Sequence, residues 1–109
     1  MKQPQVKTAD DVTKAIALDN NYALAYVGRG IAYCNLKKYD LAIDDYTKTI
    51  KIDNNYAHSY YILGLMLEET RDFKTAINNY DKAAELYHKQ GNNTWYEKAM
   101  NKLKKLRGY

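Results

Sequence analysis

Proline and glycine are scarce in this sequence, with one proline (Pro4) and five glycines among 109 residues. These two residues most often interrupt regular backbone structure, so their scarcity favours a chain of helices with few breaks. Cysteine is scarcer still, because Cys34 stands alone. A single cysteine excludes an intramolecular disulfide framework and a cysteine-based metal site.

Long apolar runs are also missing. No stretch approaches the roughly 20 apolar residues that a membrane-spanning helix requires. The first eleven residues, MKQPQVKTADD, lack the apolar core of a signal peptide. We therefore predict a cytoplasmic protein without a membrane span.

The excess of positive charge is confined to one end of the chain. The 17 lysines and arginines outnumber the 13 acidic residues, for a net charge of +4. Residues 1–90 are balanced, whereas residues 91–109 carry five cations against Glu97 alone. Lys98, Lys102 and Lys105 would share one helix face, which could touch an acidic protein, nucleic acid or an anionic membrane. No aromatic residues alternate with these lysines as in single-strand binders, so we predict no nucleic-acid partner.

Tyrosine, by contrast, is abundant, and part of its abundance comes from repetition. The stretch DNNYA occurs at residues 19–23 and again at residues 53–57. Shifting the sequence by the offset between these two copies aligns further apolar and small residues in a fixed order. The aligned identities are Ala23 with Ala57, Tyr26 with Tyr60, Gly30 with Gly64, Ala42 with Ala76, Ile43 with Ile77, Tyr46 with Tyr80 and Lys48 with Lys82.

Each unit shows two helical stripes separated by a short polar turn, Lys37-Lys38 in the first unit and Arg71-Asp72 in the second. The small residues should let the backbones of paired helices approach closely, while tyrosine and phenylalanine fill the gaps between one pair and the next. The predicted core stripes are Tyr26, Gly30, Tyr33, then Tyr39, Ala42, Ile43, Tyr46, Ile50; and Tyr60, Gly64, Leu67, then Phe73, Ala76, Ile77, Tyr80, Ala83, Ala84.

These units resemble tetratricopeptide repeats, whose pattern is W-x2-L-G-x2-Y, then A-x3-F, then P, within a unit of about 34 residues. The first unit reads Tyr26-x2-Arg29-Gly30-x2-Tyr33 and Ala42-x3-Tyr46, and the second reads Tyr60-x2-Leu63-Gly64-x2-Leu67 and Ala76-x3-Tyr80. The departures are Tyr for Trp, Arg29 for Leu, and Asn54 or His88 where proline usually closes the unit. The resemblance implies an all-α fold, a right-handed superhelical stack of antiparallel helix pairs.

The flanking segments follow the same repeat spacing, so we predict that residues 1–109 form one domain. We predict a half repeat at 7–22, full repeats at 23–56 and 57–90, and a capping helix at 92–107. The capping helix follows Gly91 and should bury one apolar face. That face consists of Trp95, Ala99, Met100, Leu103 and Leu106.

Residue patterns for catalysis are lacking. There is no glycine-rich phosphate loop and no cluster of ligands at metal spacing. His58 and His88 are far apart in sequence, and the adjacent Glu68 and Glu69 point to different helix faces. We predict that the protein is not an enzyme and has no cofactor or metal.

The resemblance places the first helix of each repeat on a concave surface, where apolar residues not needed for the core would form a groove. The alternative is that the fold covers these residues with a neighbouring unit or the capping helix. The predicted groove residues are Leu24, Val27, Ile31 and Cys34 in the first repeat and His58, Tyr61, Leu65 and Glu68 in the second.

The resemblance therefore implies a protein–protein interaction module, a scaffold that binds a protein or peptide partner through an extended or helical apolar segment. A carboxylate clamp, another use of such grooves, would require basic and Asn residues where Val27, Ile31 and Ile62 stand. Instead, Glu68 and Glu69 should prefer basic residues flanking the bound segment.

Structural self-association is the alternative. The predicted half repeat lacks its first helix, which would leave the apolar face of Val12, Ala15 and Ile16 uncovered. Such a face tends to be buried against another chain, so the protein would form a homo-oligomer, or against another part of a longer tetratricopeptide array.

Overall fold

The structure, a computed structural model, describes residues 22–108 and consists there of five helices without a strand. The predicted half repeat at 7–22 lies outside the described residues except for Tyr22, which caps the first helix. The helices are α1 (Ala23–Asn35), α2 (Tyr39–Ile52), α3 (Ala57–Glu69), α4 (Phe73–Lys89) and α5 (Asn93–Arg107).

The chain divides into two compact units, and the division falls between Asn54 and Asn55. The first unit holds the helix pair α1 and α2, and the second holds α3, α4 and α5. The division lies inside the second DNNYA stretch, the position where the sequence pattern separates one helix pair from the next. The prediction that residues 1–109 form a single domain stays a prediction.

Close packing in the first unit depends on Gly30 of α1. A Cβ atom at this position would lie 2.8 Å from Cε2 of Tyr46 in α2, closer than carbon atoms can approach. The buried side chains of this helix pair are Ala25 and Tyr26 of α1 and Ala42, Asp45, Tyr46 and Thr49 of α2. The predicted role of glycine in bringing two helices together is confirmed here.

The same contact recurs in the second unit, where a Cβ atom on Gly64 of α3 would lie 2.7 Å from Cε1 of Tyr80 in α4. Helix α5 adds a third layer that packs against α4 and buries Ala99 and Leu103. The second unit therefore has the larger core. Its further buried side chains are Ala57, Ser59, Tyr60, Tyr61, Leu63, Met66, Leu67, Ala76, Ala83, Ala84, Leu86 and Tyr87.

Two residues that the sequence pattern assigns to buried faces are exposed. Met100, expected on the buried face of α5, is exposed because it is offset by one position from the Trp95, Ala99 and Leu103 line. Phe73 is exposed because it is the first residue of α4, where the Arg71 guanidinium lies 5.4 Å from its ring centroid. Both predictions of burial were wrong for these local reasons.

Three turns that follow helices use one backbone conformation. Lys37, Arg71 and Gly91 have φ of 59°, 66° and 71°, the left-handed region in which a helix commonly ends. The next amide in each turn donates to a carbonyl five residues earlier: Lys38 to Tyr33 at 2.8 Å, Asp72 to Leu67 at 2.8 Å and Asn92 to Tyr87 at 2.9 Å. The predicted turns at Lys37-Lys38 and Arg71-Asp72 are confirmed.

Candidate functional site

The four predicted groove residues of the first repeat lie along one side of α1. Leu24 and Ile31 are 60% and 49% exposed, while Val27 and Cys34 are half-buried. Their spacing of three and four residues places them on one helical face. We call these four residues the α1 face.

The α1 face is uncharged, and the one charged residue of this helix, Arg29, is engaged elsewhere. Arg29 forms two hydrogen bonds with the Asp45 carboxylate of α2. Its Nε donates to Oδ2 at 2.9 Å, and its terminal nitrogen donates to Oδ1 at 2.7 Å. These bonds raise the pKa of Arg29. The ring centroids of Tyr26 and Tyr33 lie 5.8 and 5.9 Å from the Cζ atom of the guanidinium.

The predicted groove residues of the second repeat are in a different environment. Tyr61 is only 8% exposed because its ring meets Tyr80 edge-on at 5.5 Å and Trp95 of α5 at 5.3 Å. His58 and Leu65 are half-buried. In this unit α5 therefore covers part of the surface that the sequence pattern assigns to a partner, and Tyr61 belongs to the packed interior.

Glu68 is held by groups of its own chain. The Tyr80 hydroxyl donates to Oε1 of Glu68, and the amines of Lys102 and Lys105 lie 3.8 and 4.0 Å from its carboxylate oxygens. Burial and the bond to Glu68 raise the pKa of Tyr80, which stays protonated as a donor. The basic groups expected to come from a partner are thus supplied by α5, while the neighbouring Glu69 is exposed.

An aromatic cluster around His58 was not anticipated from the sequence. The His58 ring lies 5.9 Å from Tyr56, 5.3 Å from Tyr87 and 4.6 Å from Trp95, and its Nδ1 shares a hydrogen bond with the Tyr87 hydroxyl. Burial lowers the pKa of His58 and raises that of Tyr87. One signal was available: the first repeat has Leu24 at the position aligned with His58.

The described part of the chain holds neither a group of three or more metal-binding side chains nor a helix that could span a membrane. Within residues 22–108, no group of three or more His, Cys, Asp or Glu side chains is placed to hold a metal ion. None of α1 to α5 is both long and apolar enough to cross a membrane.

Paired antiparallel helices, with a glycine–tyrosine contact that recurs from one pair to the next, define the class of helical repeat proteins. The sequence models of the tetratricopeptide repeat match residues 23–56 and 57–90, and the chain belongs to that family. Its fold is an all-α, tetratricopeptide-like solenoid. No curated protein matches the sequence.

Several solved structures are similar over most of the chain. The first tetratricopeptide domain of Spaghetti (RPAP3), bound to the HSP90 peptide SRMEEVD, is 25% identical with a TM-score of 0.79, covering 92% of this chain and 75% of that one. The Arabidopsis OM64 tetratricopeptide domain is 27% identical with a TM-score of 0.79, covering 93% and 78%.

A third structure shares the fold at lower identity. The Yersinia enterocolitica secretion chaperone SycD, in complex with a peptide of the translocator YopD, is 18% identical with a TM-score of 0.85. The match covers 91% of this chain and 76% of that one.

Proposed function

We propose that this protein is a protein-interaction module whose α1 face binds an apolar peptide or helical segment of a partner. The observation that carries the proposal is the exposure of Leu24 and Ile31 on an uncharged helix face. Two large aliphatic side chains at this spacing are typical of a contact surface. The similar tetratricopeptide domain of Spaghetti is seen with a bound peptide, which supports the same function.

The α1 face favours contact with uncharged side chains of a partner. Leu24, Val27, Ile31 and Cys34 offer neither a cation nor an anion, and Arg29 is engaged by Asp45. A charged partner residue placed on this face would lose its hydration without gaining an opposite charge. The bound segment therefore presents aliphatic or aromatic side chains at the interface, and its charged residues remain in solvent.

The direct test selects peptides from a random displayed library against the immobilised full chain, and then measures their affinity by fluorescence anisotropy. We expect the double variant Leu24→Glu/Ile31→Glu to weaken binding by at least about tenfold, equivalent to about 1.4 kcal/mol. The physical reason is that two carboxylates would have to be desolvated against an apolar segment.

Leu41 provides the matched control, because this α2 residue is 45% exposed and lies outside the α1 face. The variant Leu41→Glu should bind the selected peptide like the wild type, with an unchanged circular dichroism spectrum. Equal affinities for wild type and the α1-face double variant, with both proteins folded, would contradict the proposal. An equal loss in the Leu41 variant would show a nonspecific effect of added charge.

The peptide SRMEEVD tests the type of recognition. We expect no specific binding, because Val27, Ile31 and Ile62 stand where a carboxylate clamp would need basic and Asn side chains. Amidation of the C-terminus of a selected peptide should likewise leave its affinity unchanged. A large loss on amidation would indicate carboxylate recognition instead.

Self-association remains the alternative function, in which the chain pairs through its N-terminal segment. The residues invoked for it, Val12, Ala15 and Ile16, lie outside the described residues. Light scattering over a range of protein concentrations separates the two functions. A constant monomer mass together with peptide binding favours the interaction module, whereas a mass that rises with concentration favours self-association.

A further inference from the structure

His58 stands where the three helices of the second unit meet. It extends from α3, its Nδ1 shares a hydrogen bond with the Tyr87 hydroxyl of α4, and its ring centroid lies 4.6 Å from that of Trp95 in α5. Trp95 also contacts Tyr61 at 5.3 Å and Tyr87 at 6.0 Å. One imidazole thus links the beginning of α5 to both helices beneath it.

We propose that His58 is a pH-sensitive latch that holds α5 on the second unit when neutral and loosens it when protonated. A neutral imidazole can leave Nδ1 without a hydrogen, so that the Tyr87 hydroxyl donates to it. Protonation places a hydrogen on Nδ1, so that the Tyr87 hydroxyl can no longer donate to it and must turn to accept. It also places a positive charge on a half-buried ring, which burial disfavours. The proposal goes beyond peptide binding by the α1 face and does not rest on it.

The groups around His58 offer no compensating negative charge. The rings that contact His58 are the neutral side chains of Tyr56, Tyr87 from α4 and Trp95 from α5. The amine of Lys98 lies 4.2 Å from the Trp95 ring centroid and would repel a second cation nearby. No carboxylate within residues 22–108 forms an ion pair with His58.

The direction of the pH effect follows from these surroundings. Burial lowers the pKa of His58 from its ordinary 6.5, so the packed state binds the proton less readily than the open state. Neutral His58 therefore contributes fully to the stability of the packed state above pH 6.5. This contribution is lost as the pH falls through the lower pKa that His58 has in the packed state. Acid therefore favours the state in which α5 is detached and Tyr61 is uncovered.

Amide hydrogen exchange of the full chain at about pH 7.5 and about pH 5.5, corrected for intrinsic exchange rates, tests the latch. We expect protection to fall at the acidic pH in α5, with α1 and α2 as the internal reference. The maximum loss is about tenfold for each unit by which packing lowers the pKa of His58. Trp95, the only tryptophan of the sequence, provides a parallel fluorescence signal.

The two histidines supply the variant and its control. His58→Gln should abolish the acid-dependent loss of protection, whereas His88→Gln should retain it, because His88 is exposed and its ring neighbour is Tyr96. Unchanged α5 protection in the wild type at both pH values would overturn the proposal, as would acid dependence that persists in His58→Gln. A uniform loss across α1 to α5 would indicate global unfolding and would also overturn it.

A measurement on the wild type keeps the proposal testable if the His58 variant does not fold. In an NMR titration, the His58 ring and the α5 amides should change with one common midpoint below pH 6.5. Different midpoints for the ring and the amides would contradict the latch.

Discussion

The Ser59 hydroxyl is buried in α3 without a hydrogen-bond partner among the described residues. An unpaired buried hydroxyl costs free energy because it has lost its bonds to water without gaining others. The first repeat has an apolar residue at the same position, since Ala25 is aligned with Ser59 and is also fully buried. The two repeats can therefore be compared at one backbone position, where their side chains differ by a single oxygen atom.

We predict that Ser59→Ala stabilises the protein by about 1 kcal/mol, because it removes the unpaired hydroxyl and introduces a better helix former. The converse substitution, Ala25→Ser, should destabilise it by a similar amount. Urea unfolding followed by circular dichroism measures both changes as shifts of the midpoint. Destabilisation by Ser59→Ala would show that the hydroxyl has a stabilising partner.

At the scale of elements, the pairing of α1 with α2 contains a buried charge pair that the pairing of α3 with α4 does not. Asp45 is 1% exposed and receives two hydrogen bonds from Arg29. The aligned residues of the second repeat are Leu63, which is buried, and Asn79, whose side-chain amide donates to the Thr75 carbonyl at 2.9 Å. The first repeat therefore places an ion pair between its helices, whereas the aligned positions of the second repeat hold an apolar residue and an amide that is bonded within α4.

We predict that Arg29→Leu alone destabilises the protein by about 3 kcal/mol, because it leaves the Asp45 carboxylate buried and unpaired. The double variant Arg29→Leu/Asp45→Asn copies the residue types of the second repeat and should recover more than about half of that loss. A double-mutant cycle of urea unfolding free energies measures this coupling. Additive effects of the two single substitutions would contradict the prediction.

At the scale of the molecule, the net charge of +4 overstates the positive charge that is available to a partner. Lys102 and Lys105 lie near the Glu68 carboxylate, and Arg107 is hydrogen-bonded to Asp81. Salt further weakens what remains, since exposed charges are screened beyond about 8 Å at physiological ionic strength. The positive charge of α5 is therefore partly balanced within the second unit.

We predict that the protein shows no salt-dependent binding to RNA or to anionic vesicles at about 0.15 M salt. Glu68→Gln/Asp81→Asn should increase binding to both, because it releases the cations of α5 and raises the net charge by two. Filter binding with RNA and co-sedimentation with vesicles measure these effects. Wild-type binding that falls steeply with salt would contradict the prediction and point to α5 as an anion-binding surface.

The repeat phase, the helix pairs and the turns at Lys37-Lys38 and Arg71-Asp72 were predictable from the sequence. They depend on local spacing and on the repeat period, both of which are visible in one dimension. The close helix approach at Gly64 was predictable for the same reason, because Gly30 and Gly64 occupy matching positions of the two repeats. The uncharged composition of the α1 face could also be read directly from the residues of that helix.

The sequence alone thus determined the family, the helices and the candidate α1 face, whereas the tertiary structure decided which polar and aromatic groups meet. Arg29 and Asp45 are separated by 16 residues, and His58 and Tyr87 by 29. Tyr61 and Trp95 are also distant in sequence, and their contact buries a residue expected on an open surface. A repeat pattern specifies which residues face inward. Which side chains then contact each other depends on their direction and length, and side chains of different helices meet only when the helices pack in three dimensions.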